Sequence, residues 1–591
     1  MENFENLNQK HIVISKIDIE GLTSKDSILL GDWCYDFRDP NWEQLRHRTF
    51  NYHWSNREKL RNDYRYLSEL NERLINSLSD FLNSYHNRNY STRFWRILIG
   101  PWLLNYISVI FDRWEVIRNL ILEKDENFRT SILIAERNPP KDFFEFRGLL
   151  DNDYWNHLLF SEILKYVLPN RDFKIIHANK EFKKNTFVGN DRSKLKNIRS
   201  VISHLINFVE RGLKIFTGLF GVKKRFIFYE SGFYKNLAFE IYWKLKTLPF
   251  FYFAFRKEIP QLKIQRRHSR YELTFKSQNR FEEFLSTIII KEMPIAYLEG
   301  FSHIFAFAEK EFSTKKIITA YAHWYNEFFK IWAAKEVENN AELIILEHGG
   351  SLQLSMNMMK HIENISDKTV CWGVELDKKH TRLPPNKINF KRKSVIRNSD
   401  IITLFDYESV RFSYRVVGSP TGPLVVNEHI QKKQFLELLP KKILSEIKIK
   451  PKNLGSWFPE ESYKRLFGNE IISKDTNIKS IINNSKLIIS SYPQTTFSEA
   501  MFSGVPSMLL FKENLWEIDP IYSELISNLK KSKIIHTSPQ SATNHLIDVH
   551  DDLIEWWNSR EVVQSRKLFE EFCNTISENP SKSWVDFLKG I

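Results

Sequence analysis

The chain has 591 residues, several domain lengths, so two or more domains and a large core can form without disulfides or metals. A hydrophobic content of 42%, with 46 Phe, 22 Tyr and 16 Trp, excludes an intrinsically disordered chain, which lacks the apolar surface to offset its ordering entropy. The formal charge of +14 would suit a polyanion, but Lys and Arg are scattered and no zinc-finger spacing or aromatic nucleic-acid signature accompanies them, which argues against a nucleic-acid reader.

Small basic clusters occur at "KIQRRHSR" (263 to 270) and "KINFKRKSVIR" (387 to 397). They read as a solvated basic face that would also attract pyrophosphate groups or an anionic membrane surface. Cys34, Cys371 and Cys573 are too far apart for a metal knuckle, and an odd count argues against a disulfide framework, so a reducing cytoplasm is expected. The opening "MENFENLNQKHIVI" has early acidic residues and no apolar core with a cleavage site, so no signal peptide is expected.

In chain order, "HIVIS" (11 to 15) and "SILLGDWC" (27 to 34) are short strand-like runs. Residues 56 to 85 repeat apolar positions at three- and four-residue spacing among charges, which predicts an amphipathic helix and a mainly helical N-terminal third. "ILIGPWLLNYISVIF" (97 to 111) is shorter than the roughly 20 residues of a spanning helix and contains Gly100, Pro101 and Asn105, so it reads as a buried core helix. "TLPFFYFAF" (247 to 255) is shorter still.

From about residue 225, apolar strands alternate with polar turns and helical patterns, the grammar of a mostly parallel sheet. The same grammar resumes at "SDIITLFDY" (399 to 407), after the Pro- and Lys-rich stretch at 378 to 394. The simplest partition is an N-terminal domain at 1–390 with helical insertions, a C-terminal domain at 391–560, and a helical tail at 561–591.

In open parallel sheets, ligands sit beyond the carboxyl ends of the strands, among loops and helix N-termini. "KLIISSYPQTTFSEAMFSGVPSMLLF" (486 to 511) reads as strand, loop, helix and strand in that position. Thr495 and Thr496 would stand at the helix N-terminus beside Ser491, able to hold a phosphate. Glu499, one turn on, is placed to accept hydrogen bonds from a ribose diol. The competing reading is a capping box, Thr496 at the N-cap and Glu499 at N3, which needs no ligand.

A second constellation, "LIILEHGG" (343 to 350), ends a buried strand at His348, a candidate general base or phosphate contact, with Gly349 and Gly350 allowing close backbone approach. "DND" (151 to 153) has the Asp-x-Asp shape of a metal site, but it precedes a helix start where acids favour the positive dipole end, and no metal is expected. Arg93, Arg96, Asn326 and Glu327 lie in aromatic surroundings and either reach the cleft as acceptor contacts or are buried, paired polar groups.

The 486 to 511 pattern resembles the nucleotide-sugar-binding segment of GT-B glycosyltransferases, and the His-Gly after a strand also resembles polyol-phosphate transferases of the teichoic-acid type. "ILLGDWC", "YHNRNYSTRFWRILIGPWLLNYISVIFDRWE", "DNDYWN", "YNEFFKIWAAKEVENNAELIILEHGG", "ISDKTVCWG", "SSYPQTTFSEAMFSGVP" and "KIIHTSPQSATNHLIDVHDDLIEWW", in that order, resemble a family of transferases from bacterial surface-polysaccharide (O-antigen) gene clusters. One departure stands out: where the family pattern has an arginine after a strand and a Gly-Trp, this chain has "IKIKPKNLGSW", so Lys450 takes the arginine's place and Gly455, Ser456 and Trp457 split the motif. A lysine neutralises a phosphate but does not grip it bidentately.

The resemblance implies an α/β, GT-B-like fold, two Rossmann-like domains facing a cleft with a helical N-terminal elaboration. It implies a cytoplasmic, metal-independent glycosyltransferase without cofactor, moving a sugar from a nucleotide-sugar donor to a glycan or lipid-linked glycan precursor, with room for peripheral attachment to the membrane. Ser491, Thr495, Thr496, Glu499, Lys450, Gly349 and Gly350 would serve the donor and His348 the chemistry. The alternatives are a polyol-phosphate transferase and a non-catalytic nucleotide- or carbohydrate-binding scaffold.

Overall fold

The computed structural model describes residues 9–124, 127–135, 137–176, 226–245, 251–252, 270–311, 313–350, 352–387, 399–452, 455–573 and 577–590. "TLPFFYFAF" lies largely outside them, as do most of the two basic clusters.

The N-terminal unit starts with β1 (Lys10–Val13) and β2 (Ile28–Leu29), followed by two long helices, α1 (Arg57–His86) and α2 (Thr92–Lys124). Asn56 caps α1 by accepting from the Lys59 N–H, and Asn87 ends it in the left-handed region at φ 50°. Leu60, Leu67, Leu70, Leu74, Leu78 and Leu82 form the buried stripe that the three- and four-residue spacing requires. α2 is long and apolar enough to cross a membrane, but its most apolar window is wholly buried in the protein. It is the central core helix. Pro101 leaves the helix one hydrogen bond short, and Asn105 Nδ2 donates back to the Pro101 carbonyl at 2.7 Å.

β3 (Phe128–Leu133), α3 (Phe143–Leu149), α4 (Asp153–Val167) and β4 (Lys174–Ile176) complete this unit, whose parallel sheet runs β2-β1-β3-β4. β1 and β2, which fall on the two strand-like runs, pair directly, but Lys10 pairs with Phe128, so β1 meets its second partner, β3, only after both long helices have intervened. That separation hid the sheet: the N-terminal third, expected to be mainly helical, carries a sheet of its own. Three parallel sheets stand where two were expected.

The second unit comprises β5 (Ile227–Tyr229), α5 (Lys235–Lys244), β6 (Phe251–Tyr252), α6 (Arg280–Glu292), β7 (Lys316–Thr319), α7 (Glu327–Glu338), β8 (Glu342–Leu346), β9 (Lys368–Cys371) and β10 (His380–Arg382), in sheet order β10-β9-β8-β7-β5-β6. The third comprises β11 (Ile402–Phe405), α8 (Leu424–Glu437), β12 (Ile447–Lys450), β13 (Leu487–Ser490), α9 (Thr495–Ser503), β14 (Ser507–Leu510), α10 (Ser523–Lys531) and β15 (Ile535–His536), in order β12-β11-β13-β14-β15. In each, the chain begins mid-sheet, adds a strand on one side, then crosses to the other, which opens a crevice between the first and third strands.

One continuous apolar core runs through all three units, from Ile12 to Cys573. α11 (Arg560–Cys573) sets Phe569 against Phe497 and Phe502 of α9, with ring centroids 5.5 Å apart in each case. α12 (Pro580–Gly590) returns to the second unit, where buried Trp584 meets Phe233 edge-on at 4.8 Å and donates to the Pro384 carbonyl at 3.0 Å. The chain's end therefore straps the second and third sheets together.

Candidate functional site

β13 is buried along its length because both faces of its sheet are covered, and it delivers Ser491 and Tyr492 to its carboxyl end. α9 follows, with Gln494 as an extended N-cap that makes no side-chain cap bond. Thr495 and Thr496 are the first two helical residues, so the capping box does not form. Thr496 Oγ1 instead bonds Tyr492 Oη at 2.6 Å. Glu499 is half-buried and accepts no hydrogen bond among the described residues; desolvation raises its pKa against the pull of Lys387 and Lys479. Gly504 ends the helix at φ 79°, where other residues would be strained.

β8 of the second sheet brings its own carboxyl end to this helix. A Cβ built on Gly349 would sit 2.4 Å from Thr495 Oγ1, so the two sheets meet where glycine alone fits. Gly350, at φ 116°, holds a conformation that side chains rarely adopt. His348 lies beside this contact with part of its surface exposed, its ring 5.0 Å from that of Tyr321, whose hydroxyl donates to the His348 carbonyl at 3.3 Å. Desolvation by the surrounding protein, then Lys387 and Arg415, lower its pKa to about 4. The ring is neutral at neutral pH and free to accept a proton.

Three cations that sequence reasoning did not single out gather here. Lys387, four residues past the buried Leu383, is exposed and acts on both His348 and Glu499. Arg415 follows β11, lies over the Tyr414 ring at 4.9 Å, and finds no hydrogen-bond or ion-pair partner among the described residues; its Nε is buried and unsatisfied. Lys452 follows β12, with Nζ 5.0 Å from the centre of the Tyr492 ring and 5.6 Å from that of Tyr407, and desolvation followed by Arg415 lowers its pKa to about 8. The loops after β11 and β13 flank the crevice where strand order reverses, so the signal for Arg415 was positional. It depends on the strand order, which no local pattern discloses.

Other candidates sit elsewhere. Ser491 is fully buried, its Oγ without a partner among the described residues, so it offers no open surface to a ligand. Lys450 shares a strand face with Lys448, and its charge acts on exposed Asp475; Lys452 occupies the cleft position instead. Arg93 donates to the Ile365 carbonyl and pairs with Asp367 at 2.7 Å, and Arg96 pairs with Glu72 at 2.6 Å. Asn326 caps α7 and donates to Tyr229 Oη at 3.1 Å. Glu327 accepts from the Phe143 N–H and Tyr297 Oη and pairs with buried Lys330 at 2.9 Å. These four are paired polar groups of the interior, the second of the two readings. The Asp-x-Asp carboxylates of Asp151 and Asp153 are turned onto Arg411, which occupies the place a cation would take. Gly455 and Trp457 of the split motif are packing residues: Trp457 is buried, with its ring stacked on Phe37 at 5.2 Å.

The assembled site brings together a neutral imidazole, three cations without an ion pair among the described residues, the N-terminus of a nine-residue helix and a close glycine passage. It can hold an anion and accept a proton beside it.

No curated protein sequence matches this chain. Among solved structures, WaaG, described as a glycosyltransferase involved in lipopolysaccharide biosynthesis, aligns at 11% identity over 63% of this chain and 99% of that one. The TM-score of that alignment is 0.25, which carries no weight for fold or activity. The model of the LIC12162 family transferases matches residues 11–588. With nearly its whole length matched, the chain belongs to the LIC12162 family of transferases.

Proposed function

We propose that the chain is a GT-B-like glycosyltransferase that moves a sugar from a nucleotide-sugar donor to a glycan or lipid-linked glycan precursor at the cytoplasmic face of the membrane. The observation that carries this reading is the meeting of His348 and Gly349 with the Thr495 end of α9, among Lys387, Arg415 and Lys452. A nucleoside diphosphate supplies the negative charge these cations lack, and the α9 N-terminus adds backbone donors to it. Glu499, without a hydrogen bond among the described residues, suits a ribose diol. His348 takes the proton of the acceptor hydroxyl as that oxygen attacks the anomeric carbon, and the nucleotide leaves with its charge held by the cations. Transfer needs no metal on this reading, since the cations do the work of charge neutralisation.

A thermal-shift panel of CMP, CDP, UDP, GDP and TDP sugars tests it, because a ligand that binds only the folded state raises the melting temperature. One nucleotide class should respond. A flat response across the panel sinks the reading. A second reading, transfer of a polyol phosphate, draws support from Lys387 and Arg415 both acting on His348, which puts positive charge at the reacting end as well. Phosphorus retained in the product would select it.

A further inference from the structure

Asp151 precedes the Asn152 cap of α4 and Asp153 is its first residue, in the N-terminal unit, but their carboxylates face two loops of the third sheet. Asp151 Oδ1 accepts from the backbone N–H of Arg411 at 2.7 Å, and Asp151 Oδ2 accepts from Ser456 Oγ at 2.5 Å. Arg411 is 3% exposed. Its Nε donates to Ser456 Oγ at 2.7 Å, its Nη1 donates to the Trp33 carbonyl, and its Nη2 pairs with Asp153. The loops are also stacked directly, since a Cβ on Gly455 would meet the Ser409 carbonyl oxygen at 2.2 Å.

Both loops carry cleft cations. Arg415 lies four residues after Arg411, and Lys452 lies four residues before Ser456. We propose that Asp151, with Asp153 and Arg411, is a positioning clamp by which the N-terminal unit holds the two loops that present Arg415 and Lys452 to the anionic part of the donor. The proposal rests on the reading of the cleft as a donor site.

The physical case is one of preorganisation. Arg415 and Lys452 are like charges that act on each other, neither makes an ion pair among the described residues, and only the weaker pull of Glu408 offsets the repulsion on Lys452, so that repulsion works to separate the loops that bear them. Asp151 touches both loops with one carboxylate, and buried Arg411 is satisfied only while both stay in place. A site assembled in advance does not spend binding energy on ordering its loops. None of the clamp residues needs to touch the ligand.

The test is calorimetric titration of the full chain with inorganic pyrophosphate at fixed ionic strength, alongside the melting temperature. Arg415→Gln and Lys452→Gln should each weaken binding about tenfold, the worth of one charged hydrogen bond. Asp151→Asn should weaken it by a similar factor, and Ser456→Ala by about threefold, because it removes one bond of the clamp and leaves the charges. In a background already carrying Arg415→Gln and Lys452→Gln, both clamp variants should have no further effect. Rescue gives a second check: Ser456→Thr keeps the hydroxyl and should bind as wild type does. If Asp151→Asn is too unstable to titrate, Ser456→Ala against Ser456→Thr carries the test. Wild-type affinity in Ser456→Ala and Asp151→Asn, or additive losses in the double-cation background, overturns the clamp and leaves the donor site standing. Wild-type affinity in Arg415→Gln and Lys452→Gln overturns the donor site itself.

Discussion

Two regions, one in the interior and one open to solvent, gather ionisable side chains and treat their charge in opposite ways. Between α2, α6 and α7 the charged groups are paired, Arg96 with Glu72, Glu327 with Lys330 and Tyr297, Arg137 with Glu162 and Glu292, while burial keeps His323 and His361 neutral among them. Around β8 and α9 the groups are left open among the described residues: His348 without a proton, Arg415 without an acceptor, Glu499 without a donor. Isolated buried charge is costly, so a paired network is what folding alone selects, and unpaired charge lining a cleft signals a missing ligand. Aromatic surroundings and polar identity look alike in both regions. Pairing is what tells them apart.

The comparison is sharpened most by breaking one member of each kind. His348→Ala should lower turnover about 100- to 10,000-fold, the usual worth of positioned acid–base action, with the melting temperature kept. Near-normal turnover would move His348 out of the chemistry. Glu327→Ala should do the reverse, costing about 3–5 kcal/mol of stability by stranding Lys330, as measured by denaturant unfolding. A fully stable Glu327→Ala variant would mean that the interior network is not structural.

At the seam between the regions, Gly349→Val should cost both properties, because its Cβ meets Thr495 Oγ1 at 2.4 Å and the branched side chain restricts the backbone further. Overpacking of this kind costs about 1–3 kcal/mol, and donor affinity should fall with it. Glu499→Gln should weaken donor binding by about threefold to tenfold, on the scale of one hydrogen bond, and should leave stability intact because the carboxylate caps nothing. Unchanged affinity would remove Glu499 from the ribose contact.

The smallest effect is the pH dependence of stability. Burial lowers His86, His157, His536 and His545 to about 4 and His323 to about 3. As pH falls below the ordinary histidine value of about 6.5, the unfolded chain takes up protons that these folded residues refuse, so stability drops until the folded values are reached. Glu292, Glu347 and Glu428, raised to about 7 by burial, oppose this by binding protons in the folded state first. His348, His361 and His429 are lowered as well, and burial raises Asp32, Asp151, Glu327, Asp406 and Glu499 with the three glutamates, so the two opposing sets, eight of each, largely cancel and the melting temperature should change little between pH 7.5 and pH 5. A rise on acidification would show that the raised carboxylates dominate.

Much of this molecule follows from local pattern. The α1 stripe, the α2 core helix and the alternation of strand and helix after residue 225 are set by side-chain periodicity, which adjacent residues determine. The strand-loop-helix of 486 to 511 is local as well, with its glycine stop. The N-terminal sheet is so only in part: β1 and β2 fall on the two strand-like runs, but β3 pairs with β1 from 118 positions away and β4 has only three residues, too few to carry a readable period.

The sequence by itself determined the elements and named His348, Gly349, Thr495 and Glu499, since each sits at a strand end or helix start that neighbouring residues specify. Only the tertiary structure decided which polar residues are paired and which are open. Arg96 and Arg415 are the same residue type in similar aromatic company; one meets Glu72 and the other meets nothing among the described residues. It also decided that Asp151 and Asp153 hold an arginine, and that Lys452 and not Lys450 turns to the cleft. The reason is physical: a partner is a matter of distance in space, and the groups that settle these roles lie tens to hundreds of residues away along the chain.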